Sequence, residues 1–295
     1  MLDFVILTED RYENPKNLDW YINNILKEDD LLVGALIKLG FSADRISWSS
    51  KKFDWSLTRF VIFRSTWDYF ERFSEFANWL KLTSKKTKFI NTYSQILWNL
   101  DKSYLQYFAK KNINVVPSFF ANNKASLKEI AKINNWKEIV IKPAISAAAW
   151  NTHRISKKNF TKYESLFMSL QKKQKMLVQE FQTNILSLGE VSMILIGGKV
   201  THAVLKKAKT GDYRVQDDYG GSVSVYPPSV KEIQFGELVV SKCDPIPVYA
   251  RVDVIIDNNN KLALSELELI EPELWFRFNP ESANLLAREI QKKIN

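Results

Sequence analysis

The chain begins with a short apolar run, Phe4-Val5-Ile6-Leu7, between polar neighbours, the pattern of a first strand. An amphipathic stretch over residues 29–38 stops at Gly40, which predicts a helix ended by a residue free to take positive φ. Strands are predicted over 45–48 and 60–63, and a helix then carries Phe73, Phe76, Trp79 and Leu80 on one face. Alternating strands and helices predict a small parallel sheet, and ligands of such sheets gather beyond the carboxyl ends of the strands. Arg64-Ser65-Thr66-Trp67-Asp68-Tyr69 stands at one of those ends.

The grammar changes after residue 91. A helix is predicted over 101–111, a second is opened by the capping box Ser126-Leu127-Lys128-Glu129, and a strand covers 138–141. Strands over 191–196 and 200–206 are joined by Gly197-Gly198, a dipeptide suited to a two-residue hairpin turn. A helix capped at Ser229-Val230-Lys231-Glu232, strands over 248–256 and 262–269, and a last helix opened by Asn279-Pro280-Glu281 complete the chain. We read three modules, α/β over 1–92 and α+β over 93–182 and 183–295, with no internal repeat or low-complexity linker.

Composition narrows the chemistry. With 295 residues, 45% of them hydrophobic, the chain can build more than one core. No run approaches the ~18 apolar residues of a membrane span, and the N-terminus lacks a basic segment ahead of its apolar run, so a soluble cytoplasmic protein is expected. Cys243 is the only cysteine and His153 and His202 the only histidines, which excludes a disulfide framework and a Cys-x-x-Cys site and argues against a Ser-His-Asp relay. Carboxylates, lysines and arginines remain. The net charge of +9 is scattered in short runs such as Lys51-Lys52 and Lys85-Lys86, so no nucleic-acid partner is expected.

The strongest local signal is Tyr249-Ala250-Arg251-Val252-Asp253 followed, after a turn, by Leu264-Ser265-Glu266-Leu267-Glu268-Leu269. Period-2 alternation puts Glu266 and Glu268 on one face, and hairpin pairing can bring Asp253 opposite them. Three converging carboxylates need a hard cation or several basic partners, and Mg2+ suits them; a solvated acidic strand face with ordinary lysine partners would have the same sequence. Upstream, Lys142 ends a strand before the small-residue loop Ala144-Ile145-Ser146-Ala147-Ala148-Ala149, whose backbone can approach phosphate oxygens. Lys102 opens a helix. The polar, glycine-punctuated stretch from Lys206 through Arg214 to Gly221 reads as a mobile loop, able to place Lys206 and Arg214 against a transferring phosphoryl group.

In order along the chain, Arg64-Ser65-Thr66-Trp67-Asp68-Tyr69, Trp98-Asn99-Leu100-Asp101-Lys102, Ile141-Lys142-Pro143, Leu177-Val178-Gln179-Glu180-Phe181, Gly189-Glu190-Val191-Ser192, Gly211-Asp212-Tyr213-Arg214, and Arg251-Val252-Asp253 with Glu266-Leu267-Glu268 resemble the ATP-grasp superfamily. The resemblance is to its glutathione-synthetase-like branch, which includes the ligase of cycloserine biosynthesis. It implies a three-module architecture with a parallel-sheet N-terminal domain and ATP held between two α+β subdomains. It further implies that Lys102 and Lys142 contact ATP phosphates, that the stretch from Gln179 through Glu180 to Gln182 reads adenine, and that Glu190 binds ribose. Ser146 falls in the phosphate loop, and Asp253, Glu266 and Glu268 match ligands of one or two Mg2+ ions, for which Mn2+ can substitute. Lys206 and Arg214 match the positions that steady the transferred phosphoryl, and Arg64, Ser65, Asp68 and Tyr69 belong to the domain that faces the acceptor. Ser146-Ala147-Ala148-Ala149 departs from the family, which usually places glycine there, and alanine resists positive φ.

The expected activity is ATP-dependent ligation, with a carboxylate activated as an acylphosphate and attacked by an amine or similar nucleophile. The substrate is expected to be a small amino-acid-like molecule, since Arg64 can fork a carboxylate and Asp68 hold an ammonium. Addition of amino acids to a peptide or protein terminus, and an ATP-binding module without turnover, are the alternatives. No membrane partner is expected, and self-association is left open.

Overall fold

The computed structural model describes residues 1–122, 125–147, 149–209, 211–215 and 220–294. Ala148 of the small-residue loop, and Thr210 and residues 216–219 of the glycine-punctuated loop, lie outside the described residues. The first sheet contains β1 (Leu2–Thr8), β2 (Ala43–Ser47), β3 (Thr58–Ser65) and β4 (Lys88–Ile90), in the order β2-β1-β3-β4 and all parallel. Its apolar runs are continuous because both faces are covered. Phe4, Ile6, Phe60 and Ile62 enter one core, while Val5, Leu7, Val61 and Phe63 enter another with Trp48 and Phe76.

The second sheet contains β5 (Ser118–Ala121), β6 (Glu138–Pro143), β7 (His153–Ser156) and β8 (Met176–Glu180), in the order β5-β8-β6-β7. Ile139, Ile141, Met176 and Val178 pack there against Phe160, Phe167 and Leu170 of the helix Phe160–Gln171. The third sheet is antiparallel: β9 (Glu190–Ile196), β10 (Lys199–Lys207), β11 (Ser222–Tyr226), β12 (Tyr249–Ile256) and β13 (Leu262–Glu268), in the order β11-β10-β9-β12-β13. The predicted turn joins β9 to β10, with Gly197 at φ 57° and Gly198 at φ 82°.

The first and third sheets share a core. Phe4, Ile6, Leu32 and Leu36 form one buried cluster with Ile194, Tyr249, Phe276, Leu286 and Ile290. Asn91 adds a polar stitch, donating to the carbonyls of Tyr249 (2.9 Å) and Leu269 (3.0 Å) and accepting from the Val248 N–H (2.6 Å). Among the described residues, no helix is long and apolar enough to cross a membrane.

Two local expectations are corrected. The helix predicted over 101–111 begins later, as Tyr104–Lys110, and a separate helix that the pattern did not predict, Tyr93–Leu100, precedes it. Asp101 divides them because its side chain accepts from the Ser103 N–H (2.9 Å) and from Lys175 (2.6 Å), competing with helical bonding. Lys102 therefore stands in the break, its own N–H bound to the Ala144 carbonyl (2.9 Å). The helix Leu127–Ile133 begins where predicted, but without the reciprocal box: Ser126 makes no capping bond, and the Leu127 N–H donates to Glu164 (3.0 Å).

Candidate active site

A cleft of about 550 Å³ is lined by residues of the second and third sheets and by segments outside the strands of the first, among them Tyr12, Trp67 and Tyr69. On the third sheet, alternation sends Ala250, Val252 and Val254 into the core and leaves Arg251 and Asp253 facing the cleft. On the neighbouring strand Asp253 pairs with Glu266, Val254 pairs with Leu264, and Ser265 is left as an extra residue. This bulge changes the parity of β13, so Leu264 and Leu267 are core residues while Glu266 and Glu268 line the cleft.

Asp253 is 2% exposed and accepts from Ser192 Oγ (2.6 Å), Arg251 Nε (2.9 Å) and Arg251 Nη2 (2.8 Å), with Lys206 Nζ at 3.5 Å. Burial alone would raise its pKa, but the Arg251 guanidinium and the Lys206 ammonium hold it well below the usual carboxylate range. Glu266 faces Lys102 Nζ at 2.7 Å and Lys142 Nζ at 3.8 Å, and these ammoniums outweigh its burial in the same way. The two distances separate the lysines. Burial opposes both charges, yet the close contact raises Lys102 above the ordinary lysine value, whereas Lys142, farther from Glu266 and repelled by Lys102, falls below it. Glu268 is held by Arg251, but burial and the neighbouring carboxylates of Asp253 and Glu266 push it up.

Lys206 pairs in register with Glu190, and its Nζ lies 2.5 Å from that carboxylate, between Glu190 and Asp253. Gly189 makes the approach possible. Its φ is 79°, and a Cβ there would lie 2.4 Å from the Lys206 carbonyl oxygen. Across the cleft, Lys142 and Gln179 come from β6 and β8; Gln179 donates to Ser118 Oγ (2.9 Å), and Glu180 ends its strand. Lys102 Nζ also donates to the Ser146 carbonyl (2.6 Å), while Ser146 Oγ donates to the Pro143 carbonyl (3.0 Å). Arg214 lines the cleft and grips Asp212 at 2.7 Å. In the small-residue loop Ala149 takes φ 52°, the left-handed conformation that glycine would adopt with less strain.

The N-terminal candidates divide. Tyr69 lines the cleft, in hydrogen-bond contact with Glu271. Arg64, Ser65 and Asp68 are not among its lining residues and bond inside the N-terminal module. Arg64 Nη2 lies 2.5 Å from Glu28, Ser65 Oγ 2.7 Å from Thr8, and Asp68 accepts from Trp48 Nε1 (2.7 Å) and Arg72 (3.0 Å).

Arg251, Glu271, Trp67 and Trp275 line the cleft without having been singled out in the sequence. Arg251 was open to the same alternation that exposed Asp253. Glu271 lies beyond the end of β13, where strand periodicity no longer applies. Burial pushes its carboxyl up to about 7 against the pull of Lys102. Because the folded pKa is raised from 4.5, its favourable contribution is fully present below 4.5 and is lost as pH rises through about 7. The variant Glu271→Gln should therefore raise the Tm more at pH 8 than at pH 5. Equal shifts at the two pH values would contradict this assignment.

Residues 101–261 match the model of the prokaryotic glutathione synthetase ATP-grasp domain. The chain belongs to this ATP-grasp family. Residues 4–91 match the N-terminal domain model of D-cycloserine synthetase DcsG. The cycloserine biosynthesis protein DcsG of Streptomyces lavendulae is 23% identical over 280 residues, 89% of this chain and 92% of that protein. A crystal structure of D-cycloserine synthetase DcsG has a TM-score of 0.85 at 22% identity, over 99% of this chain and 100% of that one. D-alanyl-alanine synthetase A from Vibrio cholerae O1 biovar eltor has a TM-score of 0.66 at 11% identity, over 99% and 98% of the two chains. These structures share the fold. The protein is an ATP-grasp ligase and uses ATP.

Among the described residues, no three His, Cys, Asp or Glu side chains stand together as a ready-made metal cage. Mg2+ does not require one: it is typically bound by one or two carboxylates, with nucleotide phosphates and waters supplying the rest. Asp253 and Glu266, all-oxygen cross-strand partners, fit that role, and Asp253 and Glu268, both held by Arg251, would turn an oxygen from it toward the metal.

Proposed function

We propose that this ATP-grasp ligase phosphorylates the carboxylate of an amino-acid-like small molecule and passes the acyl group to an amine or similar nucleophile. Three modules, 1–92, 93–182 and 183–295, divide the work, the first facing the acceptor and the other two holding ATP. The observation that carries the reading is the convergence of Lys102, Lys142, Lys206 and Arg251 with Asp253, Glu266 and Glu268 in one cleft. At about 550 Å³ it suits a nucleotide with a small partner better than a protein terminus.

A substrate carboxylate oxygen attacks the γ-phosphorus, the bond to the β-γ bridging oxygen breaks, and ADP leaves. Lys142 and Lys206 stabilise the spreading negative charge, Arg214 steadies the transferred group, and Lys102 holds Glu266 and the Ser146 loop. The stretch from Gln179 to Gln182 reads adenine and Glu190 the ribose. Mg2+ held by Asp253 and Glu266, with Glu268, would neutralise phosphate oxygens that otherwise repel an incoming carboxylate; Mn2+ can take its place. The nucleophile then attacks the acylphosphate carbonyl, inorganic phosphate departs, and a proton is lost from nitrogen. Tyr69 of the N-terminal module and Glu271 of the third, in contact with each other, line the cleft together. The names of the relatives, a cycloserine synthetase and a D-alanyl-alanine synthetase, support an amino-acid-like substrate.

The test is a mass-spectrometric screen of amino acids and their derivatives, alone and in pairs, with ATP and Mg2+. The expected product has lost one water relative to its substrates, with one ADP and one phosphate formed per turnover. ATP binding without condensation across the panel would sink the ligation reading.

A further inference from the structure

Glu28 lies in the middle of the helix Trp20–Lys38 and is 4% exposed. Its Oε1 accepts from the Leu274 N–H (2.6 Å) and from Arg64 Nη2 (2.5 Å), and its Oε2 from the Phe276 N–H (3.3 Å). Leu274 is held at its carbonyl as well, in the peptide that leads into Trp275, with His202 Nε2 2.9 Å from that oxygen. A carbonyl can only accept, so Nε2 carries a proton, while Nδ1 lies 2.9 Å from Thr201 Oγ1 and 3.1 Å from Ser282 Oγ.

Trp275 sits between these pinned groups. Its φ is 46°, a conformation that a bulky side chain keeps only when its surroundings impose it. The indole is 3% exposed and lines the cleft, with Lys206 Nζ 5.7 Å and Arg251 Cζ 5.2 Å from ring centroids. Those are the two cations that hold Glu190, Asp253 and Glu268. Arg64 Nε and Nη1 are buried without a hydrogen-bond partner, so its hydrogen bond to Glu28, beside the Tyr249 and Phe276 rings, orients the guanidinium. A buried pair of this kind adds little net stability over apolar packing. Its consequence is orientation.

We propose that Glu28, braced by Arg64, and His202 are positioning residues that hold Trp275 against Lys206 and Arg251, fixing both cations for the terminal phosphate of ATP. The inference rests on the ATP reading of the cleft, and it gives Arg64 a role inside the protein in place of a grip on substrate. Trp275 supplies the face of an aromatic ring to two partly desolvated cations, where such contacts are strongest.

The experiment compares calorimetric affinities for ADP and for AMPPNP, both with Mg2+, because only the second carries a γ-phosphoryl group. Trp275→Leu should weaken AMPPNP by about fivefold while leaving ADP within about twofold, and Trp275→Phe should restore most of the loss. Glu28→Gln should reproduce part of it, and the Glu28→Gln/Trp275→Leu double variant should lose no more than Trp275→Leu alone. Should Glu28→Gln fail to fold, His202→Gln loosens Leu274 at its carbonyl and carries the same expectation. Equal losses for the two nucleotides, or additive losses in the double variant, would overturn the clamp. A wild type that binds neither nucleotide removes the ATP reading and the clamp with it. One that binds both, with the ratio unchanged across the variants, removes the clamp alone.

Discussion

Asp253→Asn should reduce turnover by about a thousandfold, the scale of losing several kcal/mol of charge stabilisation at a phosphoryl-transfer site. The amide preserves shape and can still accept from Ser192 Oγ, but it removes the anion that Arg251 and Lys206 share. Two cations then face each other across a neutral group, and the proposed metal loses a charged oxygen donor. Phosphate release measured beside the condensation product checks the loss, and thermal unfolding of the same preparation separates it from loss of fold. Full turnover in a folded Asp253→Asn protein would take Asp253 out of the site.

Lys206→Met should have the next largest effect, lowering kcat by about a hundredfold or more with a smaller change in the KM for ATP. Methionine is similarly long and unbranched, so packing beside Trp275 is largely kept while the charge is lost. Glu190 and Asp253 remain, and Arg251 compensates only Asp253 directly. The split between the two constants is the informative readout. If KM rose and kcat held, Lys206 would be a contact for bound nucleotide rather than for the transferring phosphoryl.

Much of this arrangement was legible along the chain. The apolar run Phe4-Val5-Ile6-Leu7 became the strand that its pattern predicts, covered on both faces, and Gly197-Gly198 turned where its conformational freedom allows. Asp253 stands opposite Glu266, as hairpin pairing expected. Other features were hidden because they depend on one or two residues whose effect is not periodic. Simple alternation would put Leu264, Glu266 and Glu268 on one face, but the extra Ser265 sends Leu264 into the core and leaves both glutamates in the cleft. Asp101 delays the start of a predicted helix to Tyr104 through a bond to its near neighbour, Ser103, and a salt bridge to Lys175, 74 residues away.

Charged side chains were the least legible because alternation predicts a face and does not name a partner. Arg64 carries the residue type and strand-end position of a substrate arm, yet its buried guanidinium lies against Glu28. Lys102 and Lys142 read alike in sequence and differ through their distances to one carboxylate, 2.7 Å against 3.8 Å. Strand period, helix face and turn chemistry are local, and the chain by itself determined them. The partner of a buried charge is set by elements far apart along the chain, such as Glu28 and the Leu274 N–H, 246 residues away, and only the tertiary structure decided it. Burial turns that choice into a constraint, because an ion withdrawn from water must find its counter-charge or hydrogen bonds wherever the packed chain supplies them.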